Sequence, residues 1–316
     1  MARRPRVTVL GSLNTDISLP VPHLPAPGET VLAVAAATFG AGGKGANQAV
    51  AAARLGGAVR MAGCRGDDDF GARLRDGLAA EGIDVAGLRA IPGVASGLAL
   101  ITVDPAGENS IAVAPGANGL AGDPEVAAAF ARPCDVLVLS AEIPAAALTA
   151  ALRRARAGQV RTVLNLAPVP AGAPALLAER PDWLVVNARE AAAVAGQPAD
   201  DAPDGPARAR AVAAGLAARA AGGHVVVTLG AAGAVLAGPS GPAEVPGFPV
   251  TAVDTVGAGD AFVGALAVAL ASGLDAAAAV TAACAAGAAA ATRRGAQAAL
   301  PRPADVLAAT GFSWPG

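Results

Sequence analysis

DVLVLSAEIPAAALTAALRRARAGQVRTVLN, residues 135–165, holds a short β-type run (Asp135 to Ser140), a segment of helix length (Ala145 to Ala157) and a second β-type run (Thr162 to Asn165). The same order recurs along the chain: Val7 to Leu10 before Gly45 to Leu55, Val59 to Gly63 before Phe70 to Glu81, then Trp183 to Val186, then Arg208 to Ala221 before His224 to Leu229. Strands alternating with helices predict an α/β fold, a doubly wound, mainly parallel sheet with helices on both faces. Ligands of such sheets gather outside the carboxyl ends of the strands.

Two stretches break the alternation. Ser18 to Phe39 carries prolines at 20, 22, 25 and 27 and then β-type residues, and Ser96 to Ala114 places two alternating runs around the turn sequence Asp104-Pro-Ala-Gly107. Neither has a helix-length partner to cover a buried parallel strand, so together they predict a small separate β-sheet, a lid. The acidic, proline-rich Pro198 to Pro206 reads as an exposed loop before the Arg208 helix.

A chain of 316 residues can bury a substantial core in one large α/β domain, alone or with a smaller appendage. Its 23 basic and 25 acidic residues leave a net charge of −2 without a basic block, so a small-molecule partner is expected and a nucleic-acid surface is not. The 54% hydrophobic content is mostly alanine. Even Ala261 to Thr292 is interrupted by Ser272-Gly273 and Asp275, which predicts two buried helices and not a membrane span of about 20 strongly apolar residues. Arg3, Arg4 and Arg6 precede Val7 to Leu10, but Asn14 and Asp16 follow too soon for a signal-peptide apolar region, so export is not expected. Cys64, Cys134 and Cys284 are odd in number and lack CxxC spacing; neither a disulfide frame nor a zinc site is expected, and a reducing cytoplasm fits. With only His23 and His224, a Ser-His-Asp or His-metal mechanism has almost no material.

Asp254-Thr-Val-Gly-Ala-Gly-Asp260 is a glycine-rich turn ahead of the apolar run Ala261 to Leu270. Glycines bare the backbone N–H groups, and the first turn of the helix has unpaired donors that attract phosphate. A carboxylate there is uncomfortable as structure. It is useful as a base on a hydroxyl that attacks a phosphoryl group, so the motif suggests a kinase with Asp260 as the base. As a plain helix start, Asp260 would be only a dipole-friendly acid.

Further candidates stand at carboxyl ends of strands. Phe39-Gly-Ala-Gly-Gly-Lys-Gly-Ala-Asn47 lacks P-loop spacing but offers close backbone approach, a cation at Lys44 and an amide at Asn47, which suit a polyhydroxylated ligand. Asn14-Thr-Asp16 reads either as an Asx turn or, if extended, as an amide and a carboxylate on one side, able to hold vicinal hydroxyls. Glu142 stands just after Asp135 to Ser140. Asn187 and Glu190 are either a helix N-cap with its return partner or organisers of Mg²⁺ through waters. The glycines of Thr228-Leu-Gly-Ala-Ala-Gly233 would let a nucleotide lie against the backbone.

Taken in order, Asn14-x-Asp16, Gly42-Gly-Lys-Gly-Ala-Asn47, Glu142, Asn187-x-x-Glu190, Thr228-x-Gly230 and Asp254-Thr-Val-Gly-Ala-Gly-Asp260 resemble the ribokinase family of carbohydrate kinases. The similarity runs from about Val7 to about Leu300 and includes Pro27-Gly-Glu-Thr30, Gly107-Glu-Asn109, Pro115-Gly-Ala-Asn118 and Arg294-Gly-Ala-Gln297. It is strongest to members that act on ribose, and so implies ATP-dependent phosphorylation of D-ribose at the 5-hydroxyl. The resemblance implies that Asn14, Asp16, Gly43, Lys44, Gly45, Ala46, Asn47 and Glu142 hold the sugar. It makes Asp260 the base and the N–H groups of Gly257, Ala258, Gly259 and Asp260 a cradle for the transferring phosphoryl group. Asn187, Gly259, Cys284 and the turn of Thr228, Leu229, Gly230, Ala231, Ala232 and Gly233 would contact ATP. Glu190 would reach Mg²⁺ through water, and a monovalent cation, usually K⁺, would sit against Asp254, Val256, Ala290, Arg293, Gly295 and Ala299. Ala299 departs from a serine common there, and Cys284 from the Asn or His often found near the adenine. The family also implies a lid of residues 14–41 and 94–117 on an α/β domain of residues 1–13, 42–93 and 118–316, with the lid clasping its twin in a homodimer. Its closure would exclude water.

Rival acceptors are deoxyribose, another pentose, a ketohexose or a nucleoside; a rival of another class is a catalytically silent sugar-binding relative. Asn14 and Asp16 argue for adjacent hydroxyls, against 2-deoxyribose, and six Phe with two Trp give few surfaces on which a nucleoside base could stack. Binding alone does not need Asp260, which argues against the silent relative.

Overall fold

Val136 and Val138 belong to one buried cluster and Leu137 and Leu139 to another, so both faces of this one strand are dry. A strand covered on both sides has no use for polar alternation, which is why residues 136–139 form an unbroken apolar run. The computed structural model describes residues 3–197, 205–220 and 223–315. Pro198 to Asp204, most of the expected acidic loop, lie outside the described residues.

The chain runs β1 (Arg6–Leu10), β2 (Asn14–Pro20), β3 (Thr38–Gly42), α1 (Lys44–Arg54), β4 (Ala58–Gly66), α2 (Asp69–Ala80), β5 (Asp84–Ile91), β6 (Gly97–Val103) and β7 (Asn109–Ala114). It continues α3 (Asp123–Ala129), β8 (Val136–Ser140), α4 (Ala145–Ala157), β9 (Arg161–Asn165), α5 (Ala173–Ala178), β10 (Trp183–Asn187), α6 (Ala188–Ala195), α7 (Pro206–Arg219) and β11 (His224–Thr228). The last elements are β12 (Ala234–Gly238), β13 (Gly241–Val245), α8 (Ala258–Ala271), α9 (Ala276–Ala291), α10 (Ala296–Ala299) and α11 (Pro303–Thr310).

Among the described residues nine strands form one sheet in the order β13-β12-β11-β10-β9-β8-β1-β4-β5, all running one way except β12, which pairs antiparallel with both β11 and β13. Helices α1, α2, α8, α9 and α11 pack on one face and α3 to α7 on the other, which is the expected doubly wound arrangement. The second sheet, β3-β2-β6-β7, takes β6 and β7 from Ser96 to Ala114, whereas Ser18 to Phe39 supplies only the end of β2 and the start of β3, its residues 21–37 forming no strand. Its β6–β7 hairpin closes at Asp104, whose Oδ1 accepts from the amides of Ala106 (2.9 Å) and Glu108 (3.0 Å). Asn14 to Asp16 are extended within β2, so the Asx-turn reading is corrected: cross-strand pairing to β3 and β6 satisfies that backbone instead. The apolar Ala261 to Thr292 region is two buried helices, α8 and α9, and among the described residues no helix is long and apolar enough to cross a membrane.

Candidate active site

The carboxyl ends of β1, β8, β9, β10 and β11 lead to one edge of the large sheet, where the starts of α1 and α8 also lie. α8 begins at Gly257, whose φ of 79° suits glycine, and no side chain caps it. The Ala258 amide donates to Thr255 O at 3.2 Å, while among the described residues the amides of Gly257, Gly259 and Asp260 meet no protein acceptor. Three free donors therefore converge beside a carboxylate that is only 7% exposed. That carboxylate is held from α1: Asn47 Nδ2 donates to Asp260 Oδ2 (2.9 Å) and Gln48 Nε2 to Oδ1 (3.0 Å). Asn47, expected on the sugar, thus holds the Asp260 carboxylate with its Nδ2, and its own Oδ1 is buried without a protein partner among the described residues.

Asp16 lies across Gly42 so closely that a Cβ there would stand 2.1 Å from its Oδ2. Two residues back, Asn14 Oδ1 accepts from Asn118 Nδ2 (2.8 Å), and Asn118 also receives the Leu13 amide and donates to the Leu13 carbonyl, both at 3.0 Å. Glu142 accepts from Ser12 Oγ in a very short bond and from the Lys44 amide at 2.9 Å. The amides of Gly45 and Ala46 go to Ser12 Oγ (3.3 Å) and Ser12 O (2.9 Å). These two residues were expected to face the sugar; their donors are already used, so they build the wall of the site. Gly43 turns the chain into α1 and leaves Lys44 at its first position.

The charges speak to one another across this corner. Burial, with the like charges of Glu142 and Asp260, pushes Asp16 up to about 6. Asp260 raises the Lys44 ammonium above its ordinary range against the opposing effect of burial, and Glu142 and Glu190 add to it. Glu190 is raised by burial and by Asp260, with the Asn187 amide and Lys44 pulling the other way. Lys44 is therefore the cation shared between the Asp16 side and the Glu190 side.

On the Glu190 side, the Asn187 amide donates to Glu190 Oε2 (2.7 Å) and the Glu190 amide to Asn187 Oδ1 (2.8 Å), a reciprocal cap on α6. Each side chain keeps one polar atom outside this cap. A cavity of about 340 Å³ beside it is lined by Asn187, Ala188, Thr228, Leu229, Gly230 and Ala232 among others, which brings the two expected nucleotide segments together. Ala231 and Gly233 complete the turn without lining it, and Cys284 is buried on α9, its thiol pushed up to about 12 by burial, also away from that lining. Two larger cavities, about 640 and 590 Å³, lie at the amino ends of the strands around Arg161, Arg180 and Asp182 and contain none of the motif residues.

Beside the start of α8, Asp254 ties two loops: its Oδ1 accepts from Val256 N (3.0 Å) and its Oδ2 from Gly295 N (2.8 Å). Ala290 O accepts from Arg293 N (3.1 Å), Arg293 pairs with Asp305, and the fully buried Ala299 brings no side-chain oxygen. Among the described residues no three His, Cys, Asp or Glu side chains cluster as a metal site. One carboxylate among carbonyls suits a weakly held monovalent ion, and one free Glu190 oxygen suits Mg²⁺ that keeps its waters.

Sequence reasoning missed four side chains that organise the site: Ser12, Gln48, Asn118 and Asn165. Asn118 and Gln48 lie in or beside quoted motifs, whereas Ser12 and Asn165 carry no local signal, because their partners are 130 and 117 residues away.

The sequence matches the pfkB family of carbohydrate kinases over residues 4–303. It is 35% identical over 308 residues to the ribokinase of Schizosaccharomyces pombe, covering 95% of this chain and 96% of that protein. It is 34% identical over 298 residues to the deoxyribokinase of Salmonella typhi, covering 93% and 95%. The solved structure of Arabidopsis thaliana ribokinase complexed with ribose and ATP superposes with a TM-score of 0.83 at 27% identity, covering 97% of this chain and 98% of that one.

Proposed function

Because the chain belongs to the pfkB family of carbohydrate kinases, and is an ATP-dependent enzyme of that kind, we propose that its reaction is the phosphorylation of D-ribose at the 5-hydroxyl. The observation that carries the reading is Asp260, nearly buried, held by two amides and set beside three unpaired N–H groups. The 5-hydroxyl gives its proton to Asp260 as its oxygen attacks the γ-phosphorus; the bond to ADP breaks, and the open amides of Gly257, Gly259 and Asp260 receive the charge on the passing phosphoryl group. Asp16, the free Nδ2 of Asn14, the second oxygen of Glu142 and Lys44 hold the sugar, with Lys44 also meeting the γ-phosphate. Asn187 and the Thr228 to Gly233 turn take the nucleotide.

The donor sets described above would hold Mg²⁺ at Glu190 through water and K⁺ beside Asp254, with one hydroxyl ligand fewer because residue 299 is alanine. Bound there, the cations would offset phosphate charge and stiffen the loop before α8. Residues 14–41 and 94–117 act as the lid over the α/β remainder. Its apolar side chains Phe39, Leu100, Ile111 and Val113, each at least half exposed, support a clasp between two copies. Three free cysteines fit a cytoplasmic setting.

The deoxyribokinase relative, about as similar as the ribokinase one, favours 2-deoxyribose as the second reading. ADP release measured across ribose, 2-deoxyribose, ketohexoses and nucleosides tests the acceptor: the highest kcat/KM is expected on ribose, and a preference for 2-deoxyribose would overturn that choice. Asp260→Ala is expected to bind sugar within a few-fold of wild type while turnover drops about 10²- to 10⁴-fold; equal turnover would remove Asp260 as the base.

A further inference from the structure

Resting on the assignment of Asp260 as base, we propose that Gln48 is a positioning residue that aims this carboxylate at the sugar hydroxyl, itself fixed by Asn165. Gln48 is fully buried on α1, and its Nε2 stands 3.0 Å from Asp260 Oδ1 and 2.9 Å from Asn165 Oδ1. The orientations follow from chemistry. The Val185 carbonyl can only accept, so Asn165 turns its Nδ2 to it at 3.2 Å and leaves Oδ1 in need of a donor. The Asp260 carboxylate also only accepts. Gln48 must therefore face both with its NH₂ group.

The last torsion of an aspartate is soft, so a carboxylate is aimed by its neighbours and not by its own rotamer. Here Asn47 holds one oxygen and Gln48 the other, from successive residues of one helix. α1 and α8 come close enough for this only because residue 264 is glycine: a Cβ there would stand 2.6 Å from Ala51 Cβ and 2.7 Å from the Gln48 carbonyl. The arrangement is costly, since Gln48 Oε1 is buried without a protein partner among the described residues. An apolar side chain of the same length would remove that orphan but leave Asn165 Oδ1 and Asp260 Oδ1 without this donor. Glutamine serves the two buried acceptors it faces, and one of them is the carboxylate it aims.

Gln48→Met keeps length and volume and removes the donors. With the acceptor sugar that wild type uses best, kcat is expected to fall on the order of 10- to 100-fold, with KM for sugar and for ATP within threefold; the melting temperature is expected to drop, because two buried acceptors lose this donor. Asn165→Leu is expected to lower kcat less, and the double variant no further than Gln48→Met alone, because the two act along one line. The proposal is overturned by an unchanged kcat in Gln48→Met, by a loss that appears in KM instead, or by additive losses in the double variant. If Gln48→Met does not fold, Asn165→Leu decides: a kcat equal to wild type overturns the proposal. A wild type that phosphorylates no sugar fails the functional reading itself, whereas an active wild type with an indifferent Gln48 fails only this inference.

Discussion

Two helices of this protein start in glycine-rich sequence at the same edge of the sheet, and they differ in what meets their first amides. At α1, the amides of Lys44, Gly45 and Ala46 are already taken by Glu142 and Ser12. At α8, those of Gly257, Gly259 and Asp260 are open. Both starts carry the helix dipole and the glycines that let a ligand approach. Only the open one can receive a phosphoryl group; the closed one spends the same donors on fixing a carboxylate. A glycine-rich helix start is therefore an anion site only when the protein brings no anion of its own.

The largest effect should come from closing the open start. A Cβ at Gly259 meets nothing within 4 Å, so Gly259→Asp starts into open space and supplies α8 with an internal carboxylate as α1 has. Turnover is expected to fall by about 10³-fold or more, as when a stabilising donor is lost, with an unchanged melting temperature; retained turnover would show that the open amides are not used. Next comes Gly257→Ala, which forces alanine to a φ of 79° with its Cβ 3.0 Å from Ala296 O. A penalty of about 1–2 kcal/mol in the arrangement of the hole corresponds to roughly 10-fold in kcat, read by steady-state kinetics.

Opening the closed start should cost stability more than rate. Ser12→Ala removes a fully buried hydroxyl that donates to Glu142 and accepts from Gly45, and urea unfolding should show a loss of about 1–3 kcal/mol with kcat within a few-fold. The smallest effect belongs to Asp16, whose carboxyl is raised from 3.8 to about 6. A folded-state value above the unfolded one means the proton is held more tightly in the fold. The penalty is absent below about pH 4, grows through pH 6 and is complete at neutral pH. Asp16→Asn should therefore stabilise the protein by about 1–2 kcal/mol at pH 7, after allowance for its partial exposure, and by almost nothing at pH 4. Melting curves at the two pH values check the sign.

The parallel sheet was legible because residues such as Val136 to Leu139 are buried on both faces and cannot alternate. β5 was not, since at the sheet edge its Asp84 and Arg89 pair with Arg60 and Glu125 and blur the apolar pattern. In the site, the motif residues Asp260, Asp16 and Lys44 could be picked from spacing and chemistry. Spacing could not say that Gly45 and Ala46 would be turned inward. Their fate depends on Ser12, which approaches from the loop between β1 and β2 and meets Glu142 across 130 positions. Local sequence names the donors of a site; which of them stay free is decided by long-range packing.

Asn118 grips both polar atoms of the Leu13 backbone and the side chain of Asn14. The root of the small sheet is thus bolted to the body of the enzyme at Asn14, which we propose as a sugar ligand. Any swing of its far end must bend about that bolt, so the outer strands can travel while Asn14 stays put, much as a door moves without shifting its hinge pin.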